Sequence, residues 1–122
     1  LEAVAYCLRD AMEATGEDLG EYILIAGGVT KSKVWRQIFA DVTGYPVVCP
    51  IYDVEANMGA VMLAGIGTGV LTYEEVKKWQ VLDEKIMPDE KNHKKYNEYF
   101  RLYKSIYNHL KEDMKDLTKA AE

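Results

Sequence analysis

The change of hydrophobic period around residues 27–28 limits what this chain can become. Tyr22-Ile23-Leu24-Ile25 is a continuous aromatic and branched apolar run, which suits a strand buried on both faces of a sheet. Gly27-Gly28 interrupts it. Beyond the glycines, Val34, Trp35, Ile38, Phe39 and Val42 recur at helical spacing, with Thr30 or Ser32 as the N-cap. Gly44 ends that helix. Pro46-Val47-Val48 then reads as a second short strand, with proline at its start where a missing N–H is tolerated. A strand, a helix and a strand in this order make a crossover, and the crossover makes the strands parallel. The predicted fold class is α/β.

The flanking segments are helical. Leu1, Val4, Ala5, Leu8 and Met12 repeat at helical spacing, leaving Arg9, Asp10 and Glu13 for water, and Thr15-Gly16 closes that helix with a left-handed cap. Residues 50–55 form a turn into a third helix, from Ala56 to about Gly67, which is rich in small residues: Ala56, Gly59, Ala60, Ala64, Gly65 and Gly67. Glycine within a helix costs roughly 1 kcal/mol against alanine, so close approach by another backbone or a ligand is expected there. Thr72 and Glu75 have capping-box spacing and open a short helix running through Trp79. Residues 80–91 read as a charged connection. From Asn92 onward, Tyr96, Tyr99, Phe100, Tyr103, Ile106, Tyr107, Leu110, Met114 and Leu117 make one stripe of a long helix, expected to pack against the domain.

Two strands make a poor sheet with an apolar edge. The tally therefore predicts a single partial domain over residues 1–122, the last part of a larger α/β domain. A first residue, Leu1, that already lies in a helical pattern points the same way. The exposed edge also leaves room for a homodimer.

At 48% hydrophobic and 29% charged residues the chain reads as globular, and a net charge of −5 argues against nucleic acid as a partner. No apolar stretch is long enough to span a bilayer, so no membrane partner is expected. Cys7 and Cys49, with no staple-like spacing, read as buried small hydrophobes of a reducing, cytoplasmic compartment. His93 and His109 stand far apart and away from cysteine spacing. No metal site is expected, and both histidines read as exposed polar residues. Trp35 and Trp79 read as core or interface anchors. Asp41 and Asp53 read as caps or solvated charges, so no catalytic residue is assigned.

The segment Ala26-Gly27-Gly28-Val29-Thr30-Lys31-Ser32 is either a plain turn or a loop whose backbone approaches a flat or anionic ligand. Its continuation decides between them. Gly27-Gly28, Ser32, Trp35-Arg36-Gln37, Ala40-Asp41, Gly44 and Pro46-Val47 resemble, in order, the C-terminal domain of FGGY carbohydrate kinases. The likeness runs on through Glu55-Ala56-Asn57-Met58-Gly59-Ala60, Leu63-Ala64 and Gly67-x-Gly69. It ends in His93-x-x-Tyr96-x-x-Tyr99-x-x-x-Tyr103 and Leu110-Lys111. The sequence is most similar to the xylulose kinases of that family.

The resemblance implies the C-terminal part of an actin-like, ribonuclease H-like ATPase domain and the use of ATP and Mg²⁺. The reaction it implies is transfer of the ATP γ-phosphate to a hydroxyl of xylulose or a related sugar. Gly27 and Gly28 would face the nucleoside, with Val29 and Lys31 in the loop beside it and Ser32 near the base. Asn57 and Gly59 would take a supporting position. The sugar contacts and the catalytic aspartate are expected upstream, which leaves this chain inactive alone. Two alternatives remain open at this point: a non-catalytic interaction module docking through the aromatic helix, and a non-kinase actin-like ATPase.

Overall fold

A computed structural model of the chain describes residues 1–17, 19–52 and 56–120. Its elements in order are α1 (Glu2–Thr15), β1 (Ile23–Leu24), a 3₁₀ turn (Gly28–Lys31), α2 (Lys33–Thr43), β2 (Val47–Val48), α3 (Ala56–Gly67), α4 (Tyr73–Lys77) and α5 (Glu90–Ala120). β1 and β2 pair in parallel, Ile23 opposite Val47 and Leu24 opposite Val48, with α2 as the crossover. Ile23 N donates to Pro46 O at 2.8 Å and Ile25 N to Val48 O at 2.9 Å. The α/β reading of the period change therefore holds.

The strands are shorter than their apolar runs. Tyr22 and Leu24 are exposed, so β1 is covered on one face only among the described residues, where burial on both was expected. The segment read as a plain connection contributes an edge instead. Val47 exchanges backbone bonds with Ile86, and Pro50 bridges Leu82, both antiparallel, so residues 82–86 line the side of β2 away from β1. Its charged, proline-containing sequence carries no period that would show this.

The core comprises Ala5, Tyr6, Ile25, Phe39, Ala40, Val42, Val47, Cys49 and Phe100. α1 presents Ala5 and Tyr6 to it, while Leu1 and Val4 are exposed, contrary to the expected apolar face. Arg9, assigned to water in the sequence, is half-buried instead. Its guanidinium lies 4.4 Å from the centroid of Phe100, and Nη1 donates to Val42 O at 2.9 Å. A long side chain can cover an aromatic face in this way while keeping its charge hydrogen-bonded. Cys49 is buried as expected. Cys7 is exposed, because it lies on the α1 face opposite the core.

α2 is capped by Ser32, whose hydroxyl oxygen accepts from Trp35 N at 3.3 Å, and is closed by Gly44 at φ +76°. Asp41, read as a cap or solvated charge, is 3% exposed. Its carboxylate accepts from Gln37 Nε2 at 2.8 Å, Asp89 N at 2.8 Å and Asn92 Nδ2 at 3.0 Å, which ties the start of α5 to α2. His93 is half-buried, not exposed: Nδ1 lies 2.8 Å from Asp41 O, and the ring lies over Gly44. A Cβ at Gly44 would sit 2.6 Å from His93 Cε1, so both the left-handed φ and the histidine require glycine there.

Along α5 only the first half of the stripe packs inward. Tyr96, Phe100 and Tyr103 surround Tyr6 with ring centroids 5.5–6.1 Å away. Ile106, Tyr107, Leu110, Met114 and Leu117 are exposed, which corrects the expectation that the whole stripe is covered. α3 forms where expected, yet its small residues face open space, except Gly65, whose added Cβ would meet Leu71 Cδ1 at 2.5 Å. The Thr72–Glu75 capping box is complete, and α4 ends at Lys77, before the exposed Trp79. Trp35 is half-buried against Phe39. No helix among the described residues is long and apolar enough to cross a membrane.

Burial, then the proximity of Tyr96 and Glu2, pushes the Tyr6 phenol up to about 12. Unfolded tyrosine ionises near about 10. The folded state therefore keeps a proton that the unfolded chain has released, and stability is lost as pH rises from about 10 toward about 12. Thermal melts are expected to show the wild-type melting temperature falling faster over that window than that of Tyr6→Phe. Equal slopes would show that Tyr6 does not titrate late.

Candidate functional site

The backbone leaves β1 through Ile25 and Ala26 and turns at Gly27, whose φ of +89° and ψ of −159° belong to glycine. Gly27 O then accepts from Thr30 N at 3.0 Å and from Thr30 Oγ1 at 2.8 Å, closing the 3₁₀ turn. A Cβ at either Gly27 or Gly28 would meet nothing within 4 Å. The glycine pair is thus needed at Gly27 for conformation, whereas at Gly28 it leaves clear space above the backbone.

Beside this turn lies a groove of about 510 Å³ lined by Thr30, Lys31, Arg36, Pro50, Ile51, Tyr52 and Asp83. It opens at the carboxyl ends of both parallel strands, between the loop after β1 and the loop after β2. In open α/β sheets this is where ligands gather, because helix N-termini and loop backbones converge there. One side is apolar and aromatic, from Pro50, Ile51 and Tyr52. The rest of the lining is polar: Thr30, Lys31 and the ion pair of Arg36 with Asp83. A second cavity, about 370 Å³, lies between α1 and the end of α2, away from the turn.

The five residues singled out in the sequence occupy one continuous stretch, but they do not play one role. Gly27 and Gly28 offer backbone to the open space. Lys31 lines the groove. Val29 packs its side chain on the core, so only its main chain can face a ligand. Ser32 Oγ accepts the α2 cap bond and retains its O–H as a donor. Asn57 lies on the exposed surface of α3. Glu55 and Asp53 lie outside the described residues.

Sequence reasoning missed Arg36, Tyr52 and Asp83. Arg36 stands inside the Trp35-Arg36-Gln37 match but has no charge pattern to mark it. Asp83 sits in the aperiodic connection, and only the fold brings it to α2. There Arg36 Nη1 meets Asp83 Oδ2 at 2.9 Å. The Arg36 hydrogen bond, with a further bond from Glu84 N, holds the Asp83 carboxyl below the usual range. Burial pushes the Cys49 thiol up, against the opposing pull of Arg36 beside it. Among the described residues no three His, Cys, Asp or Glu side chains are grouped to hold a metal ion.

Removing the cap tests the local geometry. Ser32→Ala is expected to lower stability by about 1 kcal/mol, the usual cost of losing an N-cap oxygen, as read by urea denaturation. No change in the midpoint would mean that the α2 start does not depend on that bond.

Residues 1–68 match the family profile described as "FGGY family of carbohydrate kinases, C-terminal domain". The xylulose kinase of Staphylococcus epidermidis is 30% identical over 122 aligned positions, covering 96% of this chain and 24% of that protein. The autoinducer-2 kinase of Photorhabdus laumondii is 34% identical over 82 positions, covering 63% of this chain and 16% of its own length. Among solved structures, ligand-bound xylulose kinase from Lactobacillus acidophilus superposes with a TM-score of 0.76 at 26% identity, covering 89% of this chain and 23% of that one. The chain spans about a quarter of the length of the xylulose kinases it matches.

Proposed function

We propose that this chain, which belongs to the FGGY family of carbohydrate kinases, forms the nucleotide side of a kinase that moves the γ-phosphate of ATP to a sugar hydroxyl. The observation that carries the reading is the open space over Gly27-Gly28, next to a groove lined by Thr30 and Lys31 of the same turn and by Ile51 and Tyr52. A nucleotide has matching halves. Its base favours the apolar side chains of Ile51 and Tyr52, and its sugar can lie against the exposed backbone of the turn. In this reading Gly27 and Gly28 admit the nucleoside, the Val29 main chain and Lys31 flank it, and the Ser32 O–H reaches the base.

The sugar is taken to be xylulose or a relative of it, since the relatives quoted above carry different substrate names. Phosphoryl transfer also needs a group to orient or deprotonate the acceptor hydroxyl. Among the described residues, Asp41 and Asp83 do not fit that role. Asp41 is buried and spends its carboxylate on α5, and both oxygens of Asp83 accept hydrogen bonds. The described residues do not make a Mg²⁺ site either, so in this proposal the ion enters with the phosphates. The base and the sugar contacts are assigned to a part of the kinase outside this chain, and the protein is placed in the cytoplasm.

Calorimetry with ADP and Mg²⁺ tests the reading. A Cβ at Gly28 meets no atom within 4 Å, so Gly28→Val puts branched bulk into that clear space. It is expected to weaken ADP binding by roughly tenfold or more, equivalent to about 1.4 kcal/mol, while leaving the melting temperature nearly unchanged. Unaltered affinity would remove the turn from the site. The chain alone is expected to give no sugar phosphate when incubated with ATP and xylulose, and detectable product would overturn the division of labour.

A further inference from the structure

Arg36 ties the Asp83 side of the groove to α2. Arg36 leaves the first turn of α2 and is largely buried, its side chain 13% exposed. Nη1 donates to Asp83 Oδ2, Nε is buried with no hydrogen-bond partner among the described residues, and the guanidinium interacts with the Cys49 thiol. Around this guanidinium three backbone segments meet. Asp83 N donates to Cys49 O at 2.8 Å, Ile51 N to Val81 O at 2.9 Å, and Arg36 N to Ser32 O at 3.0 Å. The groove is formed by the same three segments: the turn before α2, the loop after β2, and the segment around Asp83.

We propose that Arg36 is the positioning residue of the nucleotide groove, acting through Asp83 to fix the wall that faces Thr30 and Lys31. This rests on the nucleotide reading above. The physical reason is that residues 81–86 form an isolated edge held to β2 by a few backbone bonds, with half-exposed side chains outside. Such an edge opens readily unless a side chain from a rigid helix pins it. Arg36 supplies that pin from a helix fixed at both ends, by Ser32 and by Asp41. A planar guanidinium holds direction as well as charge, which a lysine ammonium does not. Asp83 in turn is fixed on both oxygens, by Arg36 and by Glu84 N, so it serves as wall and not as a base.

The test is a double-mutant cycle on ADP affinity with Arg36→Gln, Asp83→Asn and both together, measured by calorimetry beside the wild-type protein. Misplacing a binding wall by about 1 Å costs up to about a hundredfold. Each single variant is expected to weaken ADP binding by roughly 10- to 100-fold, and the double variant by no more than the worse single, since the pair acts as a unit. Amide exchange at Asp83 and Ile86 is expected to quicken in the same variants. Simple destabilisation lowers the fraction of molecules that bind, read as stoichiometry, and leaves the dissociation constant of the folded fraction unchanged. That result, or additive losses in the double variant, overturns the positioning role. Unchanged affinity in both singles with wild-type binding intact also overturns it while sparing the nucleotide reading. Absence of ADP binding by the wild-type protein overturns both.

Discussion

The carboxylate of Asp41 is the constraint on which the rest of the structure leans. A buried carboxylate is tolerable only where its lone pairs are filled. Here the donors come from two elements far apart in sequence: Gln37, one turn earlier on α2, and Asp89 and Asn92 at the start of α5. The helix of 31 residues is thereby anchored at its first turn. Asp89 caps it through Asn92 N, and His93 closes down over Gly44. With its start fixed on α2, α5 brings Phe100 and the tyrosines onto Tyr6, and α1 is clamped between them.

That arrangement makes α2 the axis of the molecule, and the groove inherits its rigidity. The N-terminal end of α2 follows the glycine turn and carries Arg36. Its C-terminal end is immobilised by the Asp41 network. Strand β2 returns parallel to β1 and delivers Cys49, Pro50 and Ile51 beside that same N-terminal end. The groove is therefore built where both strand ends and the fixed helix meet, and none of its described lining residues belongs to α3 or α4.

What could be read from the sequence follows from how local each signal is. The β1–α2–β2 unit was legible because a period change, two glycines and a proline fix it within about thirty residues. The Thr72–Glu75 cap was legible for the same reason. Asp41 was not, since nothing in a helix-end aspartate says that a backbone amide 48 positions later will come to it. Arg36 and Asp83 share this blindness, being 47 residues apart in sequence and 2.9 Å apart in space. The apolar stripe of α5 was legible as a stripe, but periodicity records which residues share a face and not what covers it. Tyr96, Phe100 and Tyr103 pack on Tyr6 of α1, whereas Ile106, Tyr107, Leu110, Met114 and Leu117 are exposed.

Among the described residues the chemistry of the groove favours binding over transfer. The proposed nucleotide role draws on the apolar side chains, the lysine and the exposed backbone that α2 and its flanking loops bring together. Transferring its phosphoryl group requires a base with a free lone pair and ligands for a divalent ion. Asp83 could approach a ligand, but Arg36 and Glu84 N lower its affinity for protons, which weakens it as a base while making it a better structural anion. The features that make this wall rigid are the ones that unfit it for proton transfer. In the proposed reading such a wall holds the nucleotide from one side, and the reacting end is assigned to another segment.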